Sequence, residues 1–219
     1  SVALLLKELR LPAFVRHYEK LWQTAVEKGW SHSDYLAALC EYELSERFTR
    51  RTQSWVREAK LAPGKTLSAL DNSVLSRANQ ALIAKLHQEL SWAHHADNIL
   101  LIGPSGTGKT HLANALGYRL IEQGIRCKLF PAIGLVQQLQ QAKRELDLMS
   151  EMSKLDKYQV IIIDDIGYVK KTDAETQVLF EFIAHRYESG SLIITANQPF
   201  SAWDQIFPDK IGRASCRER

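Results

Sequence analysis

Residues 98–110 read NILLIGPSGTGKT, and this stretch decides the fold. An apolar run typical of a strand leads into a glycine-rich turn, and a helix can begin where the turn ends. The turn matches the pattern GxxxxGK[ST] at every constrained position. Glycines let a backbone wrap closely around phosphate oxygens, and the first amides of the helix add partial positive charge. The predicted phosphate-binding residues are Gly103, Pro104, Ser105, Gly106, Thr107, Gly108, Lys109 and Thr110.

Two of these residues carry the expected chemistry. In loops of this type the lysine neutralises the β and γ phosphates of a nucleotide, and the hydroxyl that follows it binds Mg²⁺. Lys109 and Thr110 occupy those positions. The alternative is a glycine-rich turn that matches the pattern by chance. Such a turn is not expected to match every constrained position and also to lie between a strand and a helix. The predicted ligands are therefore a nucleoside triphosphate and Mg²⁺.

A second apolar run, VIIIDD at residues 160–165, ends in two acids. Four β-branched residues in succession are typical of a strand that is covered on both faces, and ligands bind at the carboxyl ends of such strands. We expect Asp164 to hold the water shell of Mg²⁺ and Asp165 to orient or deprotonate the attacking water. Two acids in a solvated turn are the alternative, and the phosphate loop makes that alternative the weaker one.

A third apolar run, SLIITAN at residues 191–197, ends in Asn197. An asparagine amide in this position can hydrogen-bond the γ phosphate or the attacking water. An Asn-Gln-Pro turn leaving the strand explains the same residues equally well. Asn197 is therefore a candidate catalytic residue together with Lys109 and Asp165, and the residues alone leave its role open.

The pattern along the chain predicts two kinds of structure. From residue 98 onward short apolar runs alternate with helix-compatible stretches at 110–123, 132–149 and 173–188, which predicts a parallel α/β sheet with helical crossovers. The first sixty residues are amphipathic and helical instead, with Pro12 at a helix start and a capping-box pattern at Ser31 and Asp34. The expected segments are a helical N-terminal domain at 1–61, a linker with a helix at 62–97 and the core at 98–209.

Composition excludes several classes of protein. The 219-residue chain has 45% hydrophobic residues and 28 Lys and Arg against 25 Asp and Glu, which excludes a disordered chain. No apolar run approaches the roughly 20 residues of a membrane span. Three isolated cysteines offer neither a disulfide framework nor a metal site, and Cys40 on an apolar helix face is expected in the core. With no signal-peptide pattern at the start, we expect a cytoplasmic protein without a membrane partner.

Positive charge is concentrated in one stretch. Between residues 47 and 60 five basic residues face a single acid, Glu58, which leaves a local balance of +4. If the stretch is helical, most of these cations share one side, which suits contacts to DNA phosphates without base reading. A solvated helix face is the alternative. The candidate DNA-binding residues are Arg47, Arg50, Arg51, Arg57 and Lys60.

Four segments together resemble one family. They are GPSGTGKTHLANALG at 103–117, VIIIDDIGYV at 160–169, LFEFIAHRYESGSLIITANQPFSAW at 179–203 and RRTQSWVREAKLAPGKTL at 50–67. Over residues 4–209 the chain resembles the IstB-like ATPases of insertion-sequence transposition, which are relatives of the helicase loader DnaC.

The resemblance implies an AAA+ ATPase core preceded by a helical N-terminal domain. It assigns Lys109 and Thr110 to the Walker A motif, Asp164 and Asp165 to Walker B, and Asn197 to the sensor. It places the strand before Asn197 between the strands of the two motifs. It also implies ATP-dependent assembly into a homo-oligomer on double-stranded DNA, and regulation of the transposase of the same element.

The resemblance stops before the last ten residues. Residues 210–219 read KIGRASCRER and match nothing in the family pattern, so they are expected to be an unrelated or artefactual tail after a truncation. The family's arginine finger has no counterpart here, and nucleotide binding is therefore predicted ahead of efficient hydrolysis. The alternatives are a helicase-loader ATPase of replication, a small-molecule kinase and a hydrolysis-deficient DNA-binding fragment.

Overall fold

The computed structural model describes residues 1–71, 75–167 and 172–198, and every structural statement below refers to those ranges. The chain divides into two compact units, Ser1–Ser54 and the residues from Trp55 onward. The tail expected at residues 210–219 lies outside the described residues.

The first unit is helical, as predicted. It contains α1 (Val2–Glu8), α2 (Pro12–Lys28) and most of α3 (His32–Ala59). Pro12 opens α2, where its missing N–H would have had no helical partner. The capping box is also confirmed, since the Asp34 N–H donates to Ser31 Oγ at 3.1 Å and the Ser31 N–H donates to Asp34 Oδ2 at 3.1 Å.

The expectation that Cys40 lies in the core is wrong. Cys40 is exposed, and its neighbour Leu39 is the buried residue, with 3% exposure. Consecutive helix positions are rotated by about 100°, and on α3 this rotation places Leu39 on the buried face and Cys40 outside it.

The second unit is built on a sheet of four parallel strands in the order β1-β4-β3-β2. The strands are β1 (Ile99–Ile102), β2 (Cys127–Pro131), β3 (Val160–Asp164) and β4 (Ser191–Ala196). The predicted position of β4 between β1 and β3 is confirmed, with Ile102 opposite Ala196 and Ile163 opposite Ile194. The carboxyl ends of the phosphate-loop strand and the acidic strand therefore flank the end of β4.

Helices cover both faces of this sheet. They are α4 (Arg77–Gln88), α5 (Ser91–His94), α6 (Lys109–Glu122), α7 (Ala132–Arg144), α8 (Leu148–Leu155) and α9 (Asp173–Arg186). In β3, Ile161 and Ile163 pack into a cluster with α7, α8 and α9, whereas Val160 and Ile162 pack into a cluster with α6. These four residues are 0% exposed, so the two-sided burial predicted from their run of β-branched residues is confirmed.

One predicted helix is divided. The stretch 132–149 was expected to be continuous, but α7 ends at Arg144 and α8 begins at Leu148. Leu146 between them has a left-handed backbone, with φ of +59°. Since neither glycine nor proline marks this break, the sequence offers no local signal for it.

The predicted linker after α3 packs against α6. Its start is fixed by the Ala62 N–H, which donates to Asn114 Oδ1 at 2.7 Å, and by the Tyr118 hydroxyl, which donates to Ala62 O at 3.3 Å. A short 3₁₀ helix, Leu67–Ala69, then leads toward the phosphate loop. Among the described residues no helix is long and apolar enough to cross a membrane.

Candidate nucleotide site

The phosphate loop joins β1 to α6. Gly106 and Gly108 have φ of +83° and +84°, a conformation that glycine adopts without steric cost. A Cβ at Gly108 would also lie 3.1 Å from Leu70 Cδ1. Lys109 Nζ and Thr107 Oγ1 both donate to Pro104 O at 2.8 Å, so the lysine side chain lies along the loop in which phosphate binding is predicted.

The acidic strand meets the loop at Thr110. Its hydroxyl donates to Asp164 Oδ1 at 2.9 Å, although the two residues are 54 positions apart. A hydroxyl and a carboxylate in contact are the oxygen ligands that Mg²⁺ prefers beside a nucleotide phosphate. These two residues therefore fit a magnesium ion, which would supply charge neutralisation at the β and γ phosphates.

Asp164 and Asp165 are presented differently. Asp164 is half-buried, whereas Asp165 is exposed and has a left-handed backbone with φ of +66°. Aspartate tolerates this conformation better than most residues, and such backbones concentrate at functional sites. The two neighbouring carboxylates therefore differ in exposure and do not share one environment.

Asn197 follows β4, and its Oδ1 is buried without a hydrogen-bond partner among the described residues. A buried amide oxygen left unpaired is costly, and native structures rarely retain one without a ligand or a water. This oxygen is therefore available to a water molecule or a ligand donor at the carboxyl edge of the sheet.

A cavity of about 400 Å³ adjoins the loop on the side of α4. Leu70, Leu82 and Ile102 contribute apolar wall, and Gly103 and Gly108 form one end. A largely apolar cavity with a few polar groups at one end is typical of a small-molecule site. Sequence reasoning did not find it, because its walls come from segments that are distant along the chain.

Sequence reasoning also missed two polar residues at the site. Asn114, 1% exposed, donates to Thr110 O at 2.6 Å while its Oδ1 binds the linker. Thr195, also 1% exposed, donates its hydroxyl to Asp164 Oδ1 at 2.7 Å. A threonine inside an otherwise apolar strand was the available signal for Thr195, whereas Asn114 in a helix offered none.

The predicted DNA-binding residues fall into two groups. The buried Glu43 binds Arg47 Nε at 2.7 Å and lies 3.7 Å from Arg50, and Arg47 also donates to Arg10 O at 2.8 Å. Burial raises the pKa of Glu43, but hydrogen bonds from Arg47 and from the Ala13 N–H more than offset this and lower it below its usual value. Arg47 therefore links α3 to the backbone at Arg10, between α1 and α2.

The other cations of this stretch face outward. Arg51 lies over the Phe48 ring, 5.5 Å from its centroid. Arg57 and Lys60 are exposed and form no ion pair within the described part of the chain. These two residues belong to the second unit, whereas Arg47, Arg50 and Arg51 belong to the first.

Comparison with known proteins decides the family. A model of the IstB-like ATP binding proteins matches residues 4–215. An insertion sequence ATP-binding protein of Sinorhizobium fredii is 44% identical over 208 residues, which cover 95% of this chain and 70% of that protein. The chain belongs to the IstB-like ATP-binding protein family.

Other matches agree with this assignment. The insertion sequence IS21 ATP-binding protein of Pseudomonas aeruginosa is 31% identical to this IstB-like protein, covering 96% of the chain and 79% of the relative. The family match extends past residue 209 into the first part of the tail.

Solved structures share the fold of this IstB-like protein. The DnaC helicase loader superposes with a TM-score of 0.52 at 24% identity, covering 65% of this chain and 85% of that one. AMPPCP-bound DnaA from Aquifex aeolicus has a TM-score of 0.59 at 17% identity, covering 70% of this chain and 48% of that one. The chain thus spans about half of the DnaA chain, and at these identities the likeness establishes a shared fold.

Proposed function

We propose that this chain is an ATP-binding helper protein of DNA transposition, which binds ATP with Mg²⁺, assembles on double-stranded DNA and regulates the transposase of its element. The observation that carries the proposal is the 2.9 Å contact between Thr110 Oγ1 and Asp164 Oδ1 at the end of a complete phosphate loop. Names of insertion-sequence relatives support the biological setting.

The residues of the candidate site have different proposed roles in binding and hydrolysing the nucleotide. The loop amides and Lys109 bind the phosphates, and Thr110 and Asp164 hold Mg²⁺. The apolar cavity beside the loop takes the base. Asp165 and Asn197 orient the attacking water when hydrolysis occurs.

The nucleotide proposal is tested with Lys109→Ala. Removing the ammonium should weaken MgATP binding at least tenfold, or about 1.4 kcal/mol, because no other side chain supplies that charge in the loop. Fluorescent-nucleotide titration measures the affinity. The control is Lys20→Ala, which removes an exposed lysine that is distant in sequence from the phosphate loop. Equal affinities of wild type and Lys109→Ala would overturn the assignment.

DNA contact is proposed for the outward-facing cations Arg57 and Lys60. Arg57→Ala/Lys60→Ala should weaken duplex binding similarly for all sequences and lower the salt slope by about 1.8, since each phosphate contact contributes about 0.9. Binding is measured by fluorescence anisotropy from 50 to 200 mM salt. Lys20→Ala/Lys85→Ala removes the same charge from two exposed positions and should leave the slope unchanged.

Arg47 gives a separate readout in the same assay. Because it bridges Glu43 and the Arg10 carbonyl, Arg47→Ala should lower the stability of the first unit as well as any DNA affinity. For the double variant Arg57→Ala/Lys60→Ala, an unchanged salt slope would show that Arg57 and Lys60 do not contact DNA phosphates.

Assembly and partner choice are tested together. Sedimentation with duplex DNA should show a larger species with ATP and Mg²⁺ than without them, and Lys109→Ala should abolish the difference. Tagged protein should retain the transposase of its element. Retention of a replicative helicase instead would favour the helicase-loader alternative.

A further inference from the structure

Thr195 lies on β4, one of the two inner strands of the sheet, two residues before Asn197. Its hydroxyl donates to Asp164 Oδ1 at 2.7 Å and accepts the Asp165 N–H at 2.8 Å. Its carbonyl accepts the Ile166 N–H at 3.0 Å. One buried residue therefore contacts the whole turn that carries the acidic pair.

These contacts act on the two acids in different ways. Asp164 Oδ1 accepts both the Thr110 and the Thr195 hydroxyl protons, which fixes the rotation of that carboxylate. No described residue donates to Asp164 Oδ2. Asp165 is held through its backbone instead, at the point where φ is +66°.

A hydroxyl is the group that can make both contacts. It has one proton to give and lone pairs to accept with, so a single atom can bind a carboxylate oxygen and an amide N–H. A methyl in its place would leave the Asp165 N–H without its acceptor and would free the Asp164 carboxylate to rotate.

We propose that Thr195 is a positioning residue that sets the orientation of both Asp164 and Asp165, and thereby makes nucleotide binding responsive to Mg²⁺. The inference rests on the proposed nucleotide function. It separates the role of Thr195, which acts through the acids, from that proposed for Asn197, whose buried Oδ1 has no partner among the described residues.

The test compares nucleotide affinity with Mg²⁺ and with EDTA. In Thr195→Val and Thr195→Ala the gain in ATP affinity on adding Mg²⁺ should fall about tenfold or more, while the affinity in EDTA should stay within about twofold of wild type. Thr195→Ser keeps the hydroxyl and should restore the Mg²⁺ response. Valine and alanine differ in size, so a misfolded protein in one of the two variants would still leave the other for the test.

Thr176→Val is the matched control. Thr176 is also a buried threonine, 3% exposed, but its Oγ1 has no partner among the described residues. The control should therefore retain the full Mg²⁺ response.

Three results would overturn the inference. An unchanged Mg²⁺ response in both hydroxyl-free variants would show that Thr195 does not orient the acids. An equal loss of affinity with and without Mg²⁺ would show a general structural role. Absence of Mg²⁺-linked binding in the wild type would overturn the proposed nucleotide function as well.

Discussion

Gly190 shows how one residue depends on a distant side chain. Beside it lies the guanidinium of Arg186, which is 2% exposed and donates to Tyr158 O at 2.8 Å and to Gln159 O at 3.0 Å. A Cβ added at Gly190 would overlap that guanidinium. The backbone of Gly190 is not left-handed, so it is the close approach of Arg186 that requires glycine here.

Gly190→Ala should therefore destabilise the second unit by about 2–4 kcal/mol, because it displaces a buried cation from its carbonyl partners. Urea unfolding followed by circular dichroism measures the loss. Gly64→Ala is the control, since a Cβ there meets no atom and only the φ of +75° opposes it, at a cost of about 1 kcal/mol. Equal losses in the two variants would contradict the packing argument.

Some residues of the candidate site could be predicted from the sequence, and others became evident only in the structure. The phosphate loop and the acids are contiguous patterns, so the residues predicted there occupy one edge of the sheet in the structure. Thr195 could not be assigned, because its role depends on the strand order that places it beside Asp164.

Helix ends follow a common design in this molecule. At the end of α6, Gly124 is left-handed with φ of +77°, and the Ile125 N–H donates to Leu120 O at 2.8 Å. The end of α7 has the same pattern, in which the Asp147 N–H donates to Ala142 O at 2.8 Å. Its left-handed residue is Leu146, which is 95% exposed. Both are Schellman motifs, and glycine suits the left-handed position best.

Leu146→Gly should therefore stabilise the second unit by about 0.5–1 kcal/mol, because it relieves the left-handed backbone without removing packed surface. Gly124→Ala makes the reverse change at the equivalent position of α6 and should destabilise the unit by a similar amount. Thermal and urea unfolding measure both. A loss of stability in Leu146→Gly would show that its side chain makes a contribution of its own.

The stretch predicted as one helix but divided into α7 and α8 shows where sequence periodicity was insufficient. Apart from Gly134, the sequence from Ala132 to Met149 contains no residue that disrupts a helix strongly, so periodicity predicted a single helix. On either side of the break, α7 and α8 both contribute buried residues to the cluster over β3. The strands were easier to predict, because their burial on both faces requires a continuous apolar run.

At the scale of the whole unit, Glu58 at the end of α3 joins segments far apart in sequence. Its carboxylate accepts the Tyr158 hydroxyl at 2.6 Å, Arg126 Nε at 3.2 Å and Lys157 Nζ at 2.9 Å. The Tyr158 hydrogen bond is the largest cause that lowers the pKa of Glu58 to about 2; burial opposes it, and Arg126 and Lys157 add to it.

This pKa predicts a pH-dependent stability. The pKa is depressed from its ordinary value of 4.5, so the contribution is complete above about pH 4.5 and is lost as pH falls toward 2. Glu58→Gln should lower the free energy of unfolding by about 1–2 kcal/mol at pH 7, a modest value because the side chain is 27% exposed.

Urea titrations at pH 7, 5, 4 and 3 should show the difference between wild type and Glu58→Gln shrinking at the acidic end. Glu89→Gln changes an exposed glutamate of the same unit and should differ little from wild type at any of these values. A difference that stays constant down to pH 3 would contradict the low pKa.

The sequence by itself determined the phosphate loop, the apolar strands, the acidic pair and the helical character of the first unit. Each is a local pattern, in which neighbouring residues share one backbone conformation or one buried face. The tertiary structure decided which side chains meet: Thr195 with Asp164, Asn114 with Ala62, and Glu58 with Tyr158. The first pair depends on strand order, and the other two depend on how helices and loops pack. Both place residues within hydrogen-bonding distance across 31 to 100 positions of chain that local periodicity does not relate.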